Sequence, residues 1–190
     1  MKKFAIILSG CGVFDGAEIH EATMTMLAVE QAGAEYDLFA PDIDQAHVIN
    51  HLNGEVMNEK RSVLIESARI ARGKIEPLSD FNAAKYDAII FPGGFGVAKN
   101  LCTYAFDGPE FTINPEVDKA VKAMYEAGKP IGALCISPVM IAKILPGSKL
   151  TIGTDEATAA HIREVGSEHI NIDTHSGVVV DEKNKLVTNP

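Results

Sequence analysis

The chain has 190 residues, 46% of them hydrophobic, which is enough apolar material for one domain with a buried core. Its formal net charge of −9 argues against nucleic acid and anionic membranes as partners, because both are bound by basic surfaces. No apolar run reaches the roughly 18 residues that a membrane span needs. The N-terminal run "FAIIL" is too short for a signal peptide and is interpreted as a first strand.

The predicted elements alternate between short apolar strands and longer amphipathic helices. In chain order they are a strand at 4–8, a helix at 17–32, a strand at 35–40, a hairpin at 47–57, a helix at 62–73, a strand at 86–91, a helix at 114–128, a strand at 130–134, a helix at 137–145, a strand at 149–153, a helix at 157–165 and a hairpin at 177–188. Ser62 and Asn114 are predicted N-caps.

Continuous apolar strands separated by helices predict an α/β fold, with a doubly wound, mostly parallel, flavodoxin-like sheet and helices on both faces. The two hairpins are interpreted as small insertions. We expect residues 1–190 to form a single domain. Because a doubly wound domain normally adds a helix after its last strand, we also expect that a C-terminal helix covering one sheet face is lacking here.

The three cysteines are Cys11, Cys102 and Cys135, which are widely spaced and include no C-x-x-C pair. This pattern predicts neither a disulfide framework nor a structural zinc site, and it favours a reducing cytoplasm. No histidine cluster has metal-site spacing, and "PGGFG" lacks the lysine of a phosphate-binding loop. We therefore expect no metal and no cofactor.

Three unusual segments follow predicted strands: "SGCGVFDGAEIHE", "PGGFG" and "CISP". The carboxyl ends of parallel strands share one sheet edge, so all three are expected to meet there. Cys135 would then lie on a tight strand-to-helix turn, where a helix N-terminus lowers a thiol pKa. The Ile136 N–H and a glycine N–H, from Gly93 or Gly94, would hold a developing oxyanion.

The alternative interpretation of Cys135 is a small buried hydrophobic residue, which is the common state of a free cysteine. Cys11, in "SGCG", is a second candidate thiol or a residue that only fills a tight turn. Cys102 is interpreted as structural.

"YDAIIFPGGFG" followed by "GKPIGALCISP" resembles the ThiJ/PfpI branch of the class I glutamine amidotransferase-like superfamily. "GAEIHEATMTMLAVEQAGAEYDLFAP" is similar to the first helix and second strand of that branch, and the resemblance covers the whole chain. "SGCGVFDGAEIHE" and "LCISPVMIAKIL" look closest to the ElbB subgroup, which is associated with glyoxalase activity and, by name, with isoprenoid biosynthesis.

The resemblance implies a role for each matched residue. Cys135 matches the nucleophilic cysteine, and Gly94 and Ile136 match the oxyanion donors. Glu21 matches the first-helix acid that hydrogen-bonds the cysteine sulfur in its protonated form; Glu18 is the alternative.

The histidines of related enzymes have no clear counterpart here. A protease-like relative would have histidine where Ile136 stands, and "KLVTNP" ends without the His-x-Glu pair of glutaminases. The loop that carries a histidine in many related glyoxalases holds Asp155, which is kept as a secondary candidate. His20 neighbours Glu21 and is also kept, while His161 and His175 are interpreted as ordinary histidines.

The resemblance implies a weak, cofactor-independent glyoxalase, a hydro-lyase of glyoxalase III type that could also register as a protein deglycase. It converts glyoxal or methylglyoxal to the 2-hydroxy acid. Its expected partners are a small aldehyde and a second copy of the chain, as a homodimer. The alternatives are a redox-sensing or regulatory cysteine protein with little turnover, and an amidase or transferase subunit completed by another chain.

Overall fold

The computed structural model describes residues 1–174 and 176–190, and a sheet of seven strands runs through this part of the chain. Its strands are β1 (Lys3–Ile7), β2 (Glu35–Ala40), β3 (Glu76–Pro77), β4 (Ala88–Phe91), β5 (Ile131–Leu134), β8 (Val179–Asp181) and β9 (Leu186–Asn189). Their order is β3-β2-β1-β4-β5-β9-β8, and every neighbouring pair is parallel except β8 with β9. The predicted α/β, flavodoxin-like class is confirmed.

Six α-helices connect and cover these strands in the described residues. They are α1 (Ile19–Gln31), α2 (Val63–Ala71), α3 (Tyr104–Asp107), α4 (Pro115–Glu126), α5 (Ser137–Ile144) and α6 (Glu156–Glu164). A π-helical turn, Val97–Leu101, follows the loop after β4. The predicted caps are present: the Ser62 hydroxyl accepts the Ile65 N–H at 3.3 Å, and the Asn114 side-chain Oδ1 accepts the Glu116 N–H at 2.9 Å.

Two hydrophobic cores lie on opposite faces of the sheet. Alternate residues of β1 and the residue after it divide between them: Ala5 and Ile7 enter the larger core with α4 and α5, while Ile6 and Leu8 enter the smaller core with α1 and α2. Side chains of a strand point alternately to its two faces, so a continuously apolar strand must be covered on both. This accounts for the unbroken run "FAIIL".

The segment predicted as a strand at 149–153 does not join the main sheet. Only β6 (Lys149–Leu150) is extended, and it pairs with β7 (Glu168–His169) in a separate two-stranded sheet. The position next to β5 is taken by β9, which pairs Ile131 with Leu186. The predicted hairpin at 47–57 consists of a turn closed by one bridge, Ile49 with Val56.

None of the helices that the structure describes combines the length and hydropathy needed to cross a bilayer.

Candidate functional site

Cys135 lies on a strained turn between β5 and α5. Its φ of 57° is left-handed, a conformation that disfavours residues with a Cβ. Two contacts hold the turn: the Cys135 N–H donates to the Asn189 carbonyl at 2.9 Å, and the Ser137 hydroxyl donates to the Pro92 carbonyl at 2.9 Å. Strain of this kind is characteristic of functional sites, and here it projects the thiol from the sheet edge.

Gly93 touches both the thiol and its acidic neighbour. A Cβ at this position would lie 2.5 Å from the Cys135 Cβ and 2.7 Å from the Glu21 Oε2. The Gly93 N–H donates to that same Glu21 oxygen at 2.7 Å. Only glycine fits here, and its N–H is engaged by Glu21, which leaves Gly94 and Ile136 as the candidate oxyanion donors.

Gly94 and Ile136 direct their backbone N–H groups at the Cys135 sulfur. Gly94 has a φ of +101°, and an added Cβ would lie 2.4 Å from both the Glu18 nitrogen and the Gly16 carbonyl oxygen. The close approach of these backbones is therefore possible only with glycine. The two donors face the position where negative charge would develop on the sulfur or on a bound oxygen.

Glu21 lies in the first turn of α1 and hydrogen-bonds the Cys135 side chain. Burial raises the pKa of Glu21, and the hydrogen bonds from the Gly93 N–H and Cys135 oppose that rise without cancelling it. The charge of Glu18 raises the pKa of Glu21 further. The Glu21 carboxylate is therefore a stronger base than an exposed glutamate, and it can accept the proton of the thiol that it contacts.

The predicted lowering of the Cys135 pKa is not what the structure gives. Burial raises the pKa of Cys135, the Glu21 carboxylate raises it further, and the N–H groups of Gly94 and Ile136 only partly offset both. The sequence-based prediction considered the helix N-terminus and the Glu21 carboxyl but not the burial of the thiol, which is the largest cause of its raised pKa. Glu21 makes ionisation of Cys135 harder, whereas the hydrogen bond from Cys135 makes ionisation of Glu21 easier, so the thiol keeps its proton and donates it in a hydrogen bond to the carboxylate.

Three backbone hydrogen bonds join the loop after β1 and the start of α1 to the loop after β4. The Phe95 N–H donates to the Val13 carbonyl at 2.8 Å and the Gly96 N–H to the Gly16 carbonyl at 2.9 Å. The Glu18 N–H donates to the Gly93 carbonyl at 2.9 Å. Together with the hydrogen bond from Ser137 to Pro92, these bonds bring the three segments that the sequence placed at one sheet edge into contact.

The other two cysteines have separate surroundings. Cys11 is half-buried near the charges of Glu66 and Arg69 on α2, and burial is the main cause of its raised pKa. Cys102 is buried and donates to the Val97 carbonyl at 3.3 Å; burial raises its pKa to about 12. The structure does not bring either thiol into the Cys135–Glu21 pair.

The secondary candidates lie apart from the sulfur. His20 is 82% exposed and pairs with Glu18 at 2.8 Å. Asp155 is the N-cap of α6 and accepts the Thr158 N–H at 2.8 Å, and this cap lowers the pKa of Asp155. His161 hydrogen-bonds the Tyr104 hydroxyl at 2.9 Å. His175 lies outside the described residues.

Sequence reasoning missed a buried polar cluster that fixes the loop after β1. The Asp15 carboxylate accepts the Ile49 N–H at 2.7 Å, which ties this loop to the segment between β2 and α2. The Asn100 amide donates to the Ser9 and Asp15 carbonyls, both at 2.9 Å. An acidic residue in a loop that follows a strand could have marked Asp15 as a candidate. Its hydrogen-bond partner, Ile49, could not be predicted because it is distant in the sequence.

Among residues 1–174 and 176–190, no group of three histidine, cysteine or acidic side chains has the arrangement of a metal site. The described hydrogen bonds of the Cys135 side chain join the thiol to the Glu21 carboxylate and the N–H groups of Gly94 and Ile136 to the sulfur. The site therefore consists of a thiol, a carboxyl group and two backbone donors.

The sequence pattern of the DJ-1/PfpI family matches residues 11–189. The chain belongs to the DJ-1/PfpI family. It is 47% identical over 201 aligned positions to the human "Glutamine amidotransferase-like class 1 domain-containing protein 3, mitochondrial", covering 99% of this chain and 74% of that protein. It is 46% identical to the rat "ES1 protein homolog, mitochondrial", covering 99% and 74%.

Solved structures of the DJ-1/PfpI family share the same architecture. An "isoprenoid biosynthesis protein with amidotransferase-like domain" from Ehrlichia chaffeensis superposes with a TM-score of 0.93 at 36% identity, over 100% of this chain and 87% of its own. DJ-1beta of Drosophila melanogaster superposes with a TM-score of 0.60 at 17% identity, over 99% of this chain and 81% of its own. The second likeness shows the fold alone.

Proposed function

We propose that this DJ-1/PfpI protein is a cofactor-independent glyoxalase of the ElbB type, acting on glyoxal or methylglyoxal. The observation that carries the proposal is the Cys135–Glu21 hydrogen bond on a strained turn, with the N–H groups of Gly94 and Ile136 at the sulfur. This arrangement supplies a nucleophile, an acceptor for its proton and two donors for developing negative charge. The Ehrlichia relative, named for isoprenoid biosynthesis, supports the assignment to the ElbB type.

The first step forms a carbon–sulfur bond. Cys135 passes its proton to the Glu21 carboxylate, and the thiolate attacks the aldehyde carbon to give a hemithioacetal whose oxygen takes that proton from Glu21, which becomes a carboxylate again. Glu21 is suited to accept that proton because burial and Glu18 both raise its pKa. The N–H groups of Gly94 and Ile136 stabilise the oxyanion that forms during the attack.

The second step moves hydrogen between the two carbons of the substrate. The Glu21 carboxylate removes the proton from the former aldehyde carbon and returns it to the neighbouring carbonyl carbon, while the hydroxyl proton of the hemithioacetal passes to the neighbouring oxygen, which becomes the alcohol oxygen. The product is a thioester on Cys135. Water then hydrolyses the thioester, releasing glycolate or lactate and regenerating the thiol, so the net change is addition of one water. A single carboxyl serves as the proton shuttle, which is the reason to expect slow turnover.

The proposal is tested by following lactate formation from methylglyoxal with wild type, Cys135→Ala and Glu21→Gln. Cys11→Ala is the matched control, because this thiol is also partly exposed but lies near α2. We expect loss of product with Cys135→Ala, strong loss with Glu21→Gln and wild-type rates with Cys11→Ala. Equal rates in all four proteins would reject the proposal.

A second candidate function is redox sensing by Cys135. It is favoured by one observation: the thiol is partly exposed and its described hydrogen bonds include no imidazole. Mild peroxide followed by mass spectrometry separates the two functions. Selective oxidation of Cys135 without aldehyde turnover would support the sensor.

The proposed partners are a small aldehyde and a second copy of the chain. The proposed location is the cytoplasm, where free cysteines stay reduced. The mitochondrial names of the human and rat relatives make the mitochondrion the competing location.

A further inference from the structure

Glu18 occupies the N-cap of α1, and both of its carboxylate oxygens are engaged. Oε2 accepts the Glu21 N–H at 2.7 Å, and Oε1 pairs with the His20 Nδ1 at 2.8 Å. Shorter side chains are the usual N-caps, since they reach the same N–H with fewer rotatable bonds. The longer side chain here caps the residue that carries the carboxyl of the candidate site.

Glu18 and Glu21 hold the backbone of the same residue, Gly93, from its two sides. The Glu18 N–H donates to the Gly93 carbonyl at 2.9 Å, and the Glu21 Oε2 accepts the Gly93 N–H at 2.7 Å. Gly93 in turn lies against the Cβ and sulfur of Cys135. A change at Glu18 is therefore transmitted to Cys135 through Glu21 and through Gly93.

Glu18 also acts through its charge. Burial works against ionisation of Glu18, but the hydrogen bonds from the Glu21 N–H and His20 outweigh it and lower the pKa of Glu18. Glu18 therefore carries its negative charge at neutral pH, beside a carboxyl group whose own pKa that charge raises. Its side chain is 20% exposed, so solvent screens this interaction only in part.

We propose that Glu18 is a positioning residue of the candidate site, which orients Glu21 toward Cys135 and tunes the reactivity of the thiol by its charge. The inference deepens the proposed function by naming what controls the thiol. It concerns Cys135 chemistry alone and requires no particular aldehyde substrate.

The test is the pH profile of Cys135 alkylation by iodoacetamide, measured in a Cys11→Ala background in which Cys102 stays buried. Glu18→Gln keeps an oxygen that can cap the Glu21 N–H but removes the charge, whereas Glu18→Ala removes both. Glu30→Gln is the matched control: it removes a charge from the exposed far end of the same helix. Thermal unfolding of each variant reports on folding.

We expect Glu18→Gln to shift the profile to lower pH and to raise the alkylation rate below the inflection about two- to fivefold, the effect of one partly screened charge. Glu18→Ala should shift the profile and also lower the melting temperature, and Glu30→Gln should do neither. A Glu18→Gln profile that superimposes on wild type, or an equal shift in Glu30→Gln, would overturn the inference. Because alkylation needs no turnover, failure of the glyoxalase assay leaves this test unaffected.

Discussion

Gly93→Ala places one methyl group between the thiol and the carboxyl of the candidate site. The added carbon would lie 2.5 Å from the Cys135 Cβ, whereas carbon atoms in contact are about 3.5–4.0 Å apart. The groups must therefore separate by about 1 Å, because the Cys135 backbone is fixed by its hydrogen bond to Asn189. A shift of that size breaks the hydrogen bond between Glu21 and Cys135.

The energetic size of this change follows from the same geometry. Inserting a carbon into a filled site costs about 1–3 kcal/mol. For a chain of this length, that corresponds to a fall in melting temperature of about 2–12 °C. No left-handed backbone strain adds to it, since the φ of Gly93 is outside the positive range. The larger effect is expected on the thiol, which loses its proton acceptor.

Two measurements check this prediction in the Cys11→Ala background: thermal unfolding and the pH profile of Cys135 alkylation. We expect Gly93→Ala to lower the melting temperature and to move the alkylation profile toward that of Glu21→Gln. Gly132→Ala is the control, because its added carbon would lie no closer than 3.3 Å to any atom, the nearest being Ile90 Cγ1, and would touch neither Cys135 nor Glu21. If Gly93→Ala and Gly132→Ala give the same melting temperature and the same alkylation profile, the claim that Gly93 packs between Glu21 and Cys135 is refuted.

Two further predictions concern stability. Because the pKa of Glu21 is raised in the folded protein, the unfolded chain releases this proton first as pH rises. The residue's contribution to stability is therefore lost as pH rises from about 4 through the raised pKa of the folded state. Glu21→Gln should therefore gain stability relative to wild type across that range in urea unfolding; a constant difference from pH 4 to 7 would contradict the stated sign. Ser137→Ala leaves the buried Pro92 carbonyl without its donor and should cost about 1–3 kcal/mol, against no measurable cost for the exposed Ser79→Ala. Equal urea midpoints for these two serine variants would show that the Ser137 contact is unimportant.

Local sequence patterns were sufficient for most of the fold. The caps at Ser62 and Asn114 and the unbroken apolar strands depend on residues a few positions apart, so periodicity and composition identify them. The partner of β6 could not be found in this way. β6 pairs with β7 across a helix, and nothing in the sequence of Lys149–Leu150 distinguishes this small sheet from the main one.

The candidate site was predictable in its location but not in its electrostatics. Cys135 and the glycines of "PGGFG" follow strands of one parallel sheet, which places them at a common edge. The pKa of Cys135 depends on how deeply the thiol is buried and on its distance from Glu21, and both are tertiary properties. The same limit applies to Asp155, which looked like a loop acid and is a helix cap.

The hydrogen bond from the Cys135 N–H to the Asn189 carbonyl has a consequence for synthesis. During translation, the ribosome makes every other strand of the main sheet before it reaches β9. A nascent chain with β1 to β5 already formed still lacks the contact that fixes the backbone of the reactive turn. The thiol therefore acquires its final geometry only after β9 has inserted between β5 and β8, so an incomplete chain does not display a finished site.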